Sequence, residues 1–85
     1  MPTISRFYGI IIYMNLQDHP PPHFHARYAE RKASISIDSG AIIVGSLPAR
    51  AMRLIQEWQH IHQAELGENW TRFEAGLALL PIDPL

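Results

Sequence analysis

The chain contains no cysteine. That excludes disulfides and thiolate metal sites, and it fits a reducing compartment. No excess of charge of either sign is present: seven Lys+Arg stand against eight Asp+Glu, a formal net charge of −1. Such a balance argues against a strongly electrostatic nucleic-acid binder and leaves room only for a local basic patch. Long apolar runs are missing too. The longest, Gly9 to Met14, is far short of the roughly 20 residues needed to span a bilayer. The start lacks the charged, apolar and small-residue succession of a secretory leader, so the expected location is cytoplasmic, with no membrane partner. No repeat, low-complexity tract or linker divides the 85 residues, so a single domain over 1–85 is expected. A domain this small buries only about 60–65% of its unfolded surface. Its stability therefore rests on a tight helix–sheet core, a ligand or a partner chain, and a homodimer or heteromer is expected.

What is present reads as α+β. Residues 7–14, rich in isoleucine and aromatics, suggest a first strand that is apolar on both faces and needs cover on both. Residues 15–22 carry three consecutive prolines and should be a rigid, extended connection. Residues 23–29 and 33–38 alternate with period two, the pattern of half-buried strands. Phe24, Ala26, Tyr28, Ala33, Ile35 and Ile37 would share one side. With Glu30-Arg31 as the turn, position 28 faces 33, 26 faces 35 and 24 faces 37. Arg27 then lies opposite Ser34, His25 opposite Ser36, and His23 opposite Asp38. After a Ser39-Gly40 turn, 41–45 forms a fourth strand.

Ser46 is the expected N-cap, with Pro48 in the first turn. Leu47, Ala51, Leu54, Ile55, Trp58, Ile61 and His62 then recur at helical spacing, continuing through Leu66, Trp70, Phe73 and Leu77. Gly67 should kink or break this helix, and Gly76 should end it. The apolar, proline-punctuated end packs as an extended tail. The expected architecture is a four-stranded antiparallel meander followed by one long or kinked amphipathic helix on one face.

The distinctive segment is Asp18-His19-Pro20-Pro21-Pro22-His23-Phe24-His25. Together with the opening MPTISRFYGIIIYM, the ASISID strand, the LPARAMRLIQEW helix with its HQAEL and NW continuation, and the PIDPL end, it resembles the small bacterial family DUF4160 along nearly the whole chain. Gly67 departs from the helix former expected at its place. The resemblance implies no established activity. It does imply a genomic neighbour of the DUF2442 type, and so a toxin–antitoxin-like pair of proteins.

Three readings of the histidines compete. His23 and His25, two apart on a strand, project from one face, and His19 could join them from the proline loop as a divalent metal site, with Asp38 as a carboxylate alternative. His60 and His62, two apart on a helix, point about 200° around the axis and cannot chelate together. Alternatively, Asp38 could fix the tautomer of His23 while His25 acts as general acid or base and Arg27 holds a phosphate, a constellation suited to metal-independent RNA cleavage. The plainest reading is the outer face of a sheet, solvated or in contact with a protein partner. Its mixture of His, Arg and nearby Tyr13 or Tyr28 is closer to an interface than to a Lys/Glu surface. A partner-binding component of a two-gene system is the leading expectation, ahead of a ribonuclease-type toxin or a metal-binding module.

Overall fold

The computed structural model describes residues 2–15 and 18–85. The chain is α+β, with five strands and two helices in place of the expected four and one: β1 (Thr3–Phe7), β2 (Ile10–Tyr13), β3 (His23–Tyr28), β4 (Arg31–Ser36), β5 (Ile42–Gly45), α1 (Ala49–Ile61) and α2 (Gln63–Glu74). The strands form one antiparallel sheet in chain order, β1-β2-β3-β4-β5.

The segment expected as one strand over 7–14 is instead the end of β1, a tight turn and β2 of a hairpin. Tyr8 and Gly9 take φ of 49° and 79°, and Phe7 pairs with Ile10. Two successive positive φ values match the twist of the flanking strands, which a two-residue hairpin turn requires. Glycine supplies the second at little cost. Tyrosine is a poor signal for the first, so Gly9 reads in sequence as a strand interior.

The β3–β4 register also differs from expectation. The turn is Ala29-Glu30, with Ala29 at φ 55°, so Tyr28 pairs with Arg31, Ala26 with Ala33, Phe24 with Ile35, and His23 with Ser36. This is a shift of two residues, which preserves which face each side chain occupies. Phe24, Ala26, Ala33, Ile35 and Ile37 are buried as anticipated, whereas Tyr28 is 37% exposed. Asp38 falls beyond β4 in the following turn.

α1 lies on the Phe24 face. The Trp58 indole is fully buried there, with ring centroids 5.4 Å from Phe7 and 5.7 Å from Phe24. Ile10, Ile12, Met14, Ile35 and Ile55 belong to the same core, with Leu66 and Ile82 among its other members. Arg50, Arg53 and Glu57 face outward as the helical spacing requires, but Ile61 and Leu77, expected in the buried stripe, are exposed. The cap of α1 is Pro48 without a side-chain hydrogen bond; Ser46 Oγ instead accepts from Arg31 Nη2 at 2.8 Å.

The helix breaks at His62, not at Gly67. His62 has φ −109° and ψ 22°, although its N–H still donates to Trp58 O and its carbonyl accepts from Leu66 N. Gly67 sits inside α2 with nothing within 4 Å of where a Cβ would stand. α2 does end at Gly76: Gly76 N donates to Phe73 O and Leu77 N to Arg72 O, the paired bonds of a Schellman terminus.

The tail is extended and docked. Ile82 N donates to Ile4 O at 2.8 Å along β1, and Asp83 O accepts from the Trp58 indole at 2.8 Å. Asn69, 1% exposed, holds Leu80 by both its backbone N–H and its carbonyl. Among the described residues no helix is long and apolar enough to cross a membrane.

Candidate functional site

Period-two alternation along β3 puts His23, His25 and Arg27 on the face opposite the Phe24 core. The chain before β3 then doubles back. Asp18 Oδ2 accepts from Asn15 N at 3.0 Å and Asp18 N donates to Asn15 O. The expected rigid connection over 15–22 includes positions 16 and 17, which lie outside the described residues. Its prolines carry a cis Pro20–Pro21 bond, and Pro22 O accepts from Ile37 N at 3.1 Å, tying the loop to the end of β4.

The result is a cluster of Asp18, His23 and His25. His25 Nε2 is 2.9 Å and 3.1 Å from the two Asp18 oxygens, and His23 Nε2 is 3.5 Å from Asp18 Oδ1. One ligand atom from each residue lies within 4.8 Å of the others. The remote nitrogens are also held. His23 Nδ1 donates to Pro21 O at 2.8 Å. A carbonyl can only accept, so in the neutral ring the proton is on Nδ1 and the lone pair of Nε2 faces Asp18. His25 Nδ1 lies 3.2 Å from Ser34 Oγ on the neighbouring strand. Aromatic rings flank the pair: Tyr13 stacks on His25 with centroids 5.1 Å apart and planes at 13°, and Trp70 of α2 stands 5.3 Å from His23.

The structure therefore brings together His23 and His25, as the spacing implies, but with Asp18 in place of Asp38 or His19. Asp38 is exposed in the turn after β4; its carbonyl accepts from Gln63 Nε2, and His23 faces Ser36 instead. The expected His23–Asp38 pair is removed by the two-residue register shift. His19 is exposed and outside the cluster. Arg27 is one pleat along β3 from His25, exposed, its Nε donating to Ala29 O. Asp18 was missed because a carboxylate seven residues before His25 has no periodic relation to a strand. Its visible signal is the proline run, which rules out a regular element between them and so permits a return.

Two imidazoles and one carboxylate can share a divalent ion. With bonds of about 2.1 Å, neighbouring ligand atoms lie about 3.0 Å apart in an octahedron and about 3.4 Å apart in a tetrahedron. The observed separations from Asp18 are those of a hydrogen bond, 2.9 Å, and a looser ion-pair contact, 3.5 Å, close enough that an ion could replace the proton between them.

No curated protein and no solved structure matches the chain. A family match does exist, to a domain of unknown function, DUF4160, over residues 9–71. That span takes in Asp18, His23, His25 and Ser34, and leaves all of β1 and the docked tail outside. With about three-quarters of its length matched, including every residue of the cluster, the chain belongs to the DUF4160 family.

Proposed function

We propose that this chain is a divalent-metal-binding domain, with Asp18, His23 and His25 as its protein ligands. The observation that carries this reading is the anchoring of both remote histidine nitrogens, by Pro21 O and by Ser34 Oγ. Partners of that kind fix the tautomer and orientation of ligating histidines. Two nitrogens and a carboxylate oxygen suit Zn²⁺, Fe²⁺ or Mn²⁺, and three protein ligands leave positions for water or a bound molecule. Titration of untagged protein with Zn²⁺ and Mn²⁺ should give one ion per chain. His23→Ala and His25→Ala should each abolish it, while His19→Ala leaves it intact. Wild-type protein that binds neither ion ends this reading. Metal-independent acid–base chemistry through His25 would use the same two contacts, Nε2 at Asp18 and Nδ1 at Ser34 Oγ, and is the reading left if no ion binds.

A second reading, a partner-binding component of a two-protein system, is supported by β5. Ile42, Ile43 and Val44 are 39%, 45% and 65% exposed on the last strand of the sheet. An apolar edge strand with no charge or proline is an open template for another chain. Co-expression with the neighbouring gene product should yield a stable complex that Val44→Lys disrupts. A folded monomer indifferent to that product would remove this reading.

A further inference from the structure

The register aligns a second set of side chains on the same open face as the histidines. Arg6 pairs with Ile11, Ile11 with Arg27, and Arg27 with Lys32, so a transverse row Arg6–Ile11–Arg27–Lys32 crosses β1 to β4. Directly paired residues share a face, and the His25 row (Tyr13, His25, Ser34 and Val44) lies one pleat away, about 6.7 Å. All three cations are exposed. Among the described residues none has a carboxylate at ion-pair distance, although Glu30 borders the same depression as Arg27 and Lys32. Lys32 also lines a second depression with Tyr13, His25, Ser34 and Val44, which joins the basic row to the histidines.

Charge is divided along the chain in the same sense. Residues 1–45 hold four Lys+Arg and three Asp+Glu, whereas residues 46–85 hold three and five. The net charge of −1 thus conceals a basic face on the sheet and an acidic excess in the helices and tail.

We propose that this face binds the phosphate backbone of single-stranded nucleic acid, laid along Arg6, Arg27 and Lys32 with one phosphodiester reaching Asp18, His23 and His25. The width of the row selects a polymer. From Arg6 to Lys32 it spans three strand spacings, about 14 Å, more than one phosphate group can bridge. Arginine matches phosphate in a two-pronged geometry. The choice of phosphate rests on the metal reading of the adjacent triad, since a divalent ion there could take a phosphoryl oxygen at a position left open by its protein ligands.

The test is fluorescence anisotropy with a short labelled single-stranded RNA, using the full chain with and without Mn²⁺. About three phosphate contacts predict a slope near −2 for log affinity against log salt, so affinity falls about 20-fold when salt rises fourfold. Arg27→Ala and Lys32→Ala should each flatten that slope by about 0.7, and Arg50→Ala, on α1, should not. Circular dichroism establishes that each variant is folded. Absence of binding at low salt, equal loss with Arg50→Ala, or a mononucleotide competing as well as the strand would overturn the proposal. Mn²⁺ titration of Arg27→Ala separates the two readings. Retained metal binding with lost RNA binding places the effect in the row. RNA binding by a wild type that takes up no metal leaves the row standing and removes the triad.

Discussion

Asp18 and His25, seven residues apart, meet at 2.9 Å because the proline segment returns the chain over the open face of β3. Neither residue belongs to a pattern that includes the other. Their contact is made by a loop tied through Asn15 and Asp18 and by a strand whose alternation aims His25 outward.

Ser34→Ala removes the hydroxyl at His25 Nδ1 without touching a ligand atom. Metal affinity should drop about 10–100-fold, while thermal stability stays near wild type. Acidification should weaken metal binding in both proteins, because protons compete for the imidazole nitrogens. Calorimetric titration of the two proteins reads both effects, and equal affinities would show that Ser34 has no role in holding His25.

Gln59 is 5% exposed and donates to Ile37 O at 2.6 Å, where β4 runs into its turn. Gln59→Leu leaves that buried carbonyl without its partner and should cost about 1–3 kcal/mol. Urea denaturation would measure it through a lower midpoint at unchanged slope.

Two glycines should respond with opposite signs. A Cβ at Gly45, φ 89°, would collide with Lys32 O, a backbone atom that cannot step aside. Gly45→Ala should therefore cost about 2 kcal/mol or more. Gly67 lies in a helix with open space around it, so Gly67→Ala should add roughly 0.5–1 kcal/mol. Melting temperatures of the two variants should move in opposite directions.

Deleting residues 80–85 strips Ile82 from the core, frees the Trp58 indole N–H and leaves Asn69 without Leu80. Burial of one isoleucine contributes about 1.5–3 kcal/mol and each lost buried hydrogen bond about 1 more. In a domain this small the sum should unfold the chain or lower its melting temperature sharply. Far-ultraviolet circular dichroism on heating would decide, and a truncated chain melting like the full one would contradict the docking of the tail.

Much of the architecture was legible in the residues. Alternation in 23–28 and 33–37 fixed which side chains turn inward, and the buried Trp58, Leu66 and Trp70 followed helical spacing. Face assignment survives a two-residue register slip, so it could be right while the cross-strand partners were wrong. That same insensitivity is why Asp38 looked like the partner of His23. The Tyr8-Gly9 hairpin was hidden because its first turn residue is an aromatic side chain in a left-handed conformation, a choice local preference does not predict. Gln59 and Asn69 are polar residues whose burial no periodic pattern announces. Their burial depends on two carbonyls, of Ile37 and Leu80, that are distant in sequence.

The bond from Ile82 N to Ile4 O has a further consequence for how copies of the domain can meet. It lays the docked tail along the margin of the sheet at β1, whereas among the described residues β5, at the other margin, has no such cover. Should strands add at β5, as the partner-binding reading proposes, the covered margin at β1 would not carry the addition further, and two copies meeting there would close on each other.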